Sequence, residues 1–456
     1  MAEVYFQNLT RGQEIGANSY LLEDGRSRIL LDSGMHPKGK GYDALPDFDL
    51  IGPWDLDLAV ITHGHLDHIG SLPVLMRRQP GLRAVMTPLT AEITEAMLHN
   101  SCNVMTSQRD QEGIREYPLF THREVDGMLR RWLHQRPGRS FEVRDTGVRA
   151  EFFDAGHLPG SVGVQLDYGD LRVFYTGDVH FEPQTLSTAA AFPETGIDVL
   201  IMEATRGAVP RDPGYTRQRE SWRLAEAVMR TLGRGGSVLL PVFALGKTQE
   251  MLIMIHDLKR TGHLSRDIPV HIGGLSTRMT QIIDRHCEDV PRTHRGFRIL
   301  ESMDGLIRAK KGERLTTAAP GRIYALSSGM MSEYTASNDF AYNFIDNPKN
   351  SVIFVGYADP DSPGGHLRKA AAGDPVKLHH AYPPVTLRAE VEAFDFSGHA
   401  TRDELVEYAK RVRPRKLLLV HGDAPAMAWM VPALQAALPE TEVIVPQPGE
   451  RVRLDG

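Results

Sequence analysis

The chain has 456 residues, a formal net charge of −6 at pH 7 and 41% hydrophobic residues, a composition ordinary for a globular protein. Its length favours two domains, and its acidic balance excludes a generally basic coat for nucleic acid while allowing a local basic groove. No run reaches the roughly 18 apolar residues of a membrane span.

Cysteine content and the N-terminal sequence give an expectation about the cellular compartment. Only Cys102 and Cys287 occur, so neither a disulfide framework nor a thiolate metal cluster is expected. The first residues lack the basic region and apolar stretch of a secretory signal. We therefore expect a cytoplasmic protein.

Strand-like runs alternate with amphipathic stretches along the chain, which predicts an α/β fold. The predicted strands cover residues 27–31, 58–61, 172–175, 199–202, 238–242, 351–355 and 416–420. Helices are predicted at 248–259 and 402–411, where apolar residues recur at helical spacing. The segment 207–214 predicts a loop or domain junction, and 290–321 predicts an irregular stretch rich in Arg, Lys and Gly.

The loop after the strand at 58–61 is the most informative segment. It contains His63, His65, Asp67 and His68. Histidine and aspartate together suit zinc and similar divalent ions. His63 and His65 share one face of an extended backbone. Asp67 and His68 follow a turn, so one short loop can offer ligands to two neighbouring ions.

Acidic residues and histidines follow the predicted strands, usually beside a glycine. The residues in this position are Asp32, the cluster at 63–68, His157, Asp178, Glu203, His399 and His421. Strand ends on one edge of a sheet converge in space, and α/β proteins commonly place their sites there. Each residue alone has an ordinary structural explanation, but the set predicts a polynuclear metal site.

The same residues carry a family resemblance. In chain order, Asp32, the cluster at 63–68, His157 and Asp178 match the four motifs of the metallo-β-lactamase fold, and Glu203, His399 and His421 match three motifs of its β-CASP branch. The chain thus resembles β-CASP nucleases such as ribonuclease J and the cleavage and polyadenylation factor endonuclease.

The resemblance implies a metallo-β-lactamase αββα sandwich with an inserted α/β β-CASP cap domain. The metal-binding domain would comprise residues 1–205 and 391–456, and the insertion would be the β-CASP domain at 206–390. A cleft between the two domains would hold the substrate.

The resemblance also implies two divalent ions, zinc by default, with manganese as an alternative at the oxygen-rich second position. The first ion would be bound by His63, His65 and His157, with Asp178 bridging to the second. The second ion's ligands would be completed by Asp67, His68 and His421. Asp32 would orient a ligand histidine from outside the ligand set.

The implied activity is that of a metal-dependent ribonuclease. Two ions held close together create hydroxide at neutral pH, which would attack a phosphodiester in line. The catalytic residues would be Asp67, Glu203 and His399, with His399 as a general acid oriented by Glu203. Two alternatives stay open: a DNA nuclease or other phosphodiester or ester hydrolase of this fold, and a non-catalytic partner subunit. The complete ligand set disfavours the latter.

Single-stranded RNA is the expected partner, because DNA-specific relatives tend to have an apolar residue at the position of His421. The candidate substrate-binding residues are Lys247, Ser327, Ser328 and Arg206. Lys247 lies at a strand-to-helix turn, where backbone N–H groups favour phosphate. For Ser327 and Ser328 a plain turn is an equal alternative. Arg206 replaces an aromatic residue of the family.

Several other features are less specific. Basic runs at 206–223 and 292–314 are either phosphate contacts or solvated faces. His180 and the pair His379 and His380 lie outside the ordered motifs and are expected to be structural. A homodimer is a further expectation from the resemblance.

Overall fold

The computed structural model describes residues 3–53, 55–310 and 312–456. Outside the described residues lie Met1 and Ala2, which belong to the segment searched for a secretory signal, Trp54, and Lys311 of the second basic run. Within the described part of the chain, no helix is both long enough and apolar enough to cross a membrane.

Strands and helices alternate along the described chain. The strands are β1 (Tyr5–Asn8), β2 (Tyr20–Glu23), β3 (Arg28–Leu31), β4 (Leu58–Val60), β5 (Arg83–Met86), β6 (Trp132–His134), β7 (Ser140–Val143), β8 (Val148–Asp154), β9 (Val162–Tyr168), β10 (Leu171–Tyr175), β11 (Val199–Glu203), β12 (Val238–Pro241), β13 (Val270–Ile272), β14 (Leu306–Arg308), β15 (Ile323–Leu326), β16 (Ser351–Phe354), β17 (Pro375–Val376), β18 (Val385–Thr386), β19 (Glu390–Ala393), β20 (Lys416–Val420), β21 (Glu442–Ile444) and β22 (Arg451–Arg453). The helices are α1 (Leu66–Ile69), α2 (Leu72–Arg78), α3 (Pro88–Glu112), α4 (His122–Met128), α5 (Arg217–Gly233), α6 (Lys247–Arg260), α7 (Gly274–Arg285), α8 (Ile299–Ser302), α9 (Ala336–Tyr342), α10 (Pro363–Lys369), α11 (Arg402–Val412) and α12 (Ala424–Ala437).

The chain divides into two compact units. The first contains the described residues up to Pro183, together with Thr188–Arg211 and His399–Gly456. The second contains Gln184–Ser187 and Asp212–Gly398. The second unit thus interrupts the first in sequence, with divisions a few residues after the predicted boundaries near 205 and 390. The domain boundaries themselves stay a prediction.

The first unit contains two seven-stranded sheets, ordered β22-β1-β2-β3-β4-β5-β6 and β21-β20-β11-β10-β9-β8-β7. Successive side chains of a strand point to opposite faces, so the neighbouring strands β10, β11 and β20 of the second sheet each contribute to two cores. In β11, Val199 and Ile201 join the core shared with the first sheet. Leu200 and Met202 join the core formed with α11 and α12. Two packed sheets with helices on the outer face confirm the predicted α/β class.

The second unit is built on a six-stranded sheet, ordered β14-β13-β15-β12-β16-β19. All of its pairings are parallel, and its strands β12, β15 and β16 are buried along their whole length. In β12, Val238 and Leu240 pack with residues of α5 and α6, and Leu239 packs with residues of α9 and α10. A parallel sheet covered by helices on both sides is the usual arrangement, because the crossover helices lie on its faces.

The strand ends that carry the polar motifs meet on shared edges. β3 and β4 are parallel neighbours, so Asp32 and the histidine loop follow adjacent strands. β10, β11 and β20 are parallel neighbours as well, which brings together the residues after their carboxyl ends. β9 runs antiparallel to both β8 and β10, so the chain also leaves β8 on this edge, toward His157.

The segment 290–321 differs from its prediction, because it contains the helix α8 and the strand β14. The carboxylate of Asp284 accepts hydrogen bonds from the N–H groups of Ile299 and Leu300, each at 2.9 Å, and so caps α8. A cap supplied by another helix leaves no local sequence pattern, which explains why this short helix was missed.

Candidate metal centre

The side chains of the histidine loop lie where the chain of the first unit passes from β4 into α1. His63 and His65 lie in the segment between β4 and α1, and Asp67 and His68 lie within α1. The N–H of His68 donates to the carbonyl of His65 at 3.0 Å, which starts the helix. The change from extended to helical backbone separates the two pairs of side chains, as the sequence predicted.

A close backbone contact holds this helix in place. A Cβ atom on Gly34 would lie 1.7 Å from the carbonyl oxygen of Asp67, so only glycine fits there. The N–H of Asn18 donates to that same carbonyl at 2.9 Å, and the N–H of Gly34 donates to the carbonyl of Asn18 at 2.9 Å. The loops around β2 and β3 therefore fix the position of the ligand-bearing turn.

His63, His65, His157 and Asp178 form what we call the first donor group. Each offers one nitrogen or carboxylate oxygen, and these atoms all lie within 4.8 Å of one another. Oδ2 of Asp178 is 3.5 Å from Nε2 of His63 and 3.6 Å from Nε2 of His157. Burial lowers the pKa of His63 and of His65, which favours the neutral rings whose lone pairs can bind a cation.

Asp67, His68 and His421 form the second donor group, whose donor atoms also lie within 4.8 Å of one another. Oδ2 of Asp67 is 3.8 Å from Nε2 of His68 and 3.7 Å from Nε2 of His421. Burial acts to lower the pKa of His68, but the carboxylates of Asp178 and Asp32 outweigh it and hold that pKa well above its usual value. The surroundings of His68 therefore favour positive charge.

Asp178 lies between the two donor groups. Its Oδ2 faces the first group, while its Oδ1 is 3.3 Å from Nε2 of His68 and 3.4 Å from Nε2 of His421. Among the described residues, Oδ1 is buried and has no hydrogen-bond partner. A buried carboxylate oxygen without a partner costs about 1–3 kcal/mol, and a cation removes that cost. The residues present therefore fit bound divalent ions, and the bridging role of Asp178 stays a prediction that its position between the two donor groups supports.

His399 and Glu203 form a hydrogen-bonded pair beside the first donor group. Nδ1 of His399 lies 3.2 and 3.1 Å from the two carboxylate oxygens of Glu203. Glu203 is 1% exposed and also accepts from the N–H of Val179 at 2.6 Å. The ring centres of His399 and His157 are 4.6 Å apart. Burial acts to lower the pKa of His399, but the carboxylates of Glu203 and Asp178 outweigh it and raise that pKa.

The four predicted substrate contacts lie in different surroundings. Arg206 belongs to the first unit and is buried. Lys247 is the first residue of α6, and its ammonium group donates to the carbonyl of Phe396. The hydroxyl of Ser328 accepts from the N–H of Ser332 at 3.0 Å, within the turn after β15 that also contains Ser327. Their contact with a substrate stays a prediction.

Many arginines of the two basic runs contact carboxylates. Arg211 pairs with Glu182 at 3.0 Å in the first unit. In the second unit, the pairs are Arg217 with Glu250, Arg223 with Glu220, Arg295 with Glu288 and Arg298 with Glu301. These contacts favour the solvated or structural interpretation of the runs over a continuous phosphate-binding strip.

The second unit contains a third group of potential ligands, Glu333, His379 and His380. Nδ1 of His379 accepts a hydrogen bond from the N–H of Ala381 at 3.0 Å, so the neutral ring carries its proton on Nε2. That nitrogen, 4.0 Å from Glu333, is the one that a shared ion would need. Nδ1 of His380 is hydrogen-bonded directly to Glu333. We therefore interpret this group as a structural cluster.

The sequence interpretation did not single out Thr62 and Tyr175, although both lie next to recognised motifs. Their hydroxyl groups donate to the carboxylate of Asp32, each at 2.9 Å. The available signal was position alone: Thr62 precedes the histidine loop, and Tyr175 is the last residue of the strand that leads to Asp178.

Comparison with known families agrees with this geometry. Residues 12–234 match the metallo-beta-lactamase superfamily, 248–367 match the Beta-Casp domain, and 384–446 match the Zn-dependent metallo-hydrolase RNA specificity domain. The chain belongs to the β-CASP branch of the metallo-β-lactamase superfamily, which confirms the predicted resemblance and the predicted fold with its insertion. Membership implies binding of divalent metal, for which the two donor groups are the candidate sites.

Curated relatives match most of this chain. Transcription termination factor FttA of Methanothermobacter thermautotrophicus is 29% identical over 90% of the chain and 66% of its own length. Cleavage and polyadenylation specificity factor 73 of Drosophila melanogaster is 29% identical over 94% of the chain and 61% of its own length. The chain thus spans less than two thirds of these two proteins. Probable RNase MJ4 of Methanocaldococcus jannaschii is 27% identical over 97% of the chain and 98% of its own length.

A solved structure supports the fold alone. A protein of unknown function from Enterococcus faecalis V583 superposes with a TM-score of 0.59 at 12% identity, covering 99% of this chain and 100% of that one.

We predict that each donor group can lose its metal ion while the other group keeps its own. His157→Ala removes a ligand from the first group only, and His421→Ala removes one from the second only. Zinc-loaded protein should bind about two ions per chain, falling to about one in each variant, as measured by inductively coupled plasma mass spectrometry after desalting. The exposed His134 provides a matched control, since His134→Ala should retain both ions. Unchanged zinc content in both site variants would contradict the assignment.

Proposed function

We propose that the chain is a metal-dependent ribonuclease that hydrolyses phosphodiester bonds of single-stranded RNA. The observation that carries the proposal is the His399–Glu203 pair beside a complete set of metal donors, with Nδ1 of His399 lying 3.9 Å from Oδ2 of Asp178. A non-catalytic partner subunit would not require both the metal donors and this hydrogen-bonded pair.

Divalent ions at the two donor groups would activate a water molecule and neutralise charge on the phosphate oxygens. The protein's own residues supply the remaining steps. Glu203 binds Nδ1 of His399, which fixes the ring with Nε2 on the opposite edge. His399 would hold a proton on Nε2 and donate it to the leaving oxygen. The raised pKa of His399 keeps that proton available near neutral pH.

Asp67 differs from the other carboxylates of the centre in its exposure. Its side chain is 23% exposed, compared with 2% for Asp178. Solvent therefore reaches the Asp67 carboxylate, which would accept a hydrogen bond from the attacking water and orient it. This is the basis on which we propose Asp67 as both a ligand and a catalytic residue.

The names of the relatives support RNA as the substrate. One is named as a probable RNase, and another as a cleavage and polyadenylation specificity factor. The RNA specificity domain match, at residues 384–446, covers both His399 and His421. We propose zinc as the native ion from the histidine-rich donor set, with manganese as the alternative at the second group. We also retain the homodimer as a proposal, which light scattering tests.

The proposal is tested by incubating purified protein, with added Zn²⁺ or Mn²⁺, with end-labelled single-stranded RNA and a DNA of the same sequence. We expect cleavage of the RNA, with product lengths that separate endonuclease from exonuclease action. His399→Ala should slow cleavage about 10²–10⁴-fold while retaining its metal, because only the proton donor is lost.

His134→Ala is the control variant and should cleave at the wild-type rate. Cleavage of the DNA and not of the RNA would contradict the ribonuclease proposal and identify a DNA nuclease. Failure to cleave either polymer, with both ions bound, would move the function to another phosphodiester or ester substrate. Loss of metal from His399→Ala would remove the general acid assignment.

Glu203→Gln should shift the pH dependence of cleavage. A general acid must be protonated, so the rate falls as pH rises through the pKa of His399. The Glu203 carboxylate raises that pKa, and its neutral amide replacement lowers it. The decline should therefore move to lower pH in profiles of kcat/KM, whereas Glu142→Gln at an exposed site should leave the profile unchanged. A decline at the same pH in wild type and Glu203→Gln would contradict the pairing.

A further inference from the structure

Asp32 is a buried carboxylate with more hydrogen bonds than its expected role requires. It follows β3 and is 0% exposed. It accepts from Nδ1 of His68 at 2.8 Å, from the hydroxyl of Tyr175 at 2.9 Å, and from both the N–H and the hydroxyl of Thr62 at 2.8 and 2.9 Å. Orientation of one ligand histidine accounts for only the first of these bonds.

The first bond defines which nitrogen of His68 is available as a ligand. A carboxylate only accepts, so Nδ1 of His68 must carry a proton. In the neutral ring the lone pair is then on Nε2, and this atom lies 3.3 Å from Oδ1 of Asp178. Asp32 thus selects the form of His68 that can bind a cation in the second donor group.

The hydroxyl of Thr62 extends the same selection to His63. Its one hydrogen is donated to Asp32, which leaves its oxygen as an acceptor. Nδ1 of His63 lies 3.1 Å from that oxygen, so Nδ1 carries the proton. The lone pair of His63 is therefore on Nε2, which lies 3.5 Å from Oδ2 of Asp178. Both histidines thus present Nε2 to the same bridging carboxylate.

We propose that Thr62 is a positioning residue that connects Asp32 to His63, so that one buried carboxylate selects the metal-binding tautomer of a histidine in each donor group. Asp32 acts on His68 directly and on His63 through the Thr62 hydroxyl. The inference rests on the proposed metal centre and is independent of the substrate.

Tyr175 also binds the Asp32 carboxylate, and it supports His68 in the second donor group. Its hydroxyl donates to Oδ2 of Asp32, the oxygen that accepts from Nδ1 of His68 and, at 2.9 Å, from the Thr62 hydroxyl. The Thr62 hydroxyl also lies 3.1 Å from Oδ1, which accepts from the Thr62 N–H. Tyr175 therefore orients the oxygen that His68 requires, whereas Thr62 can bind either oxygen of the carboxylate. Among the described residues, Tyr175 makes no hydrogen bond to Thr62 or His63. Its loss should therefore affect His68, while Thr62 keeps Oδ1 of Asp32 as a partner and the tautomer of His63 stays unchanged.

The tautomers can be measured without metal or substrate. In metal-free protein labelled with ¹⁵N-histidine, long-range ¹H–¹⁵N NMR should show His63 as the neutral ring protonated on Nδ1, and His68 with a proton on Nδ1 whether its ring is neutral or charged. Thr62→Val removes the acceptor, so His63 should lose its Nδ1 preference while His68 keeps its Nδ1 proton. Thr62→Ser restores the hydroxyl and should restore the wild-type tautomer. Thr94→Val is the matched control, because Thr94 is equally buried and its hydroxyl has no hydrogen-bond partner among the described residues.

Zinc affinity then distinguishes the effect of Thr62 on the first donor group from the effect of Tyr175 on the second. In a His421→Ala background, which leaves the first donor group, Thr62→Val should weaken zinc binding about 10–100-fold in a chelator competition, as loss of a group orienting a ligand typically does. In a His157→Ala background, Tyr175→Phe should weaken zinc binding, whereas Thr62→Val should have a much smaller effect. Tyr408→Phe controls for loss of a tyrosine hydroxyl, since that group donates to the carbonyl of Pro193 and belongs to neither donor group.

An unchanged His63 tautomer in Thr62→Val would overturn the inference, as would equal losses of zinc affinity in both backgrounds. If Thr62→Val does not fold, Thr62→Ala repeats both measurements without the added methyl group. Absence of zinc binding in the wild-type protein would refute the metal centre, while the tautomers, read without metal, would still decide the role of Thr62.

Discussion

The buried carboxylate of Asp178 is the constraint on which the rest of the site depends. Burial opposes its ionisation, yet the neighbouring His68 and His421 hold its pKa well below the usual range, so it stays charged. An isolated buried charge is costly, and it persists only where positive charge or hydrogen bonds compensate it. Its two oxygens face different groups of histidines. A centre for two cations with Asp178 between them is the arrangement that satisfies this charge most fully.

The fold builds this arrangement from the ends of a few neighbouring strands. Parallel neighbours β10, β11 and β20 end on one edge and deliver Asp178, Glu203 and His421 from consecutive strands. The histidine loop comes from the other sheet of the same unit. Because the side chains of these strands pack into cores on both faces, the strand ends are held by the interior of the unit. Rigid strands can position ligand atoms more accurately than free loops can.

The ligand set could be predicted because its chemistry is local. Four donors within one loop leave few structural explanations, and polar residues after apolar strands are visible in the sequence. Each of the seven predicted strands agrees with an observed strand to within one residue at either end, since buried β-branched and leucine-rich runs are distinctive. The remaining strands were not among these seven. The grouping of the donors around Asp178 follows from strand pairing, which the resemblance supplied and spacing alone does not.

What the sequence could not predict depends on partners distant along the chain. The helix α8 is capped by Asp284 from another helix, and the ammonium group of Lys247 donates to a carbonyl of residue 396. The connection from Asp32 to His63 depends on a threonine hydroxyl whose neighbours are set only when β3 and β4 pair. Such bonds are determined by tertiary structure, and their residue types are too common to carry a pattern.

The central claim is tested most directly by anomalous diffraction at the zinc absorption edge from crystals of the zinc-loaded protein. The account predicts two strong anomalous peaks, one on each side of the Asp178 carboxylate, with the nearest ligands drawn from the two donor groups. A single peak there, or zinc bound instead at Glu333, His379 and His380, would contradict it.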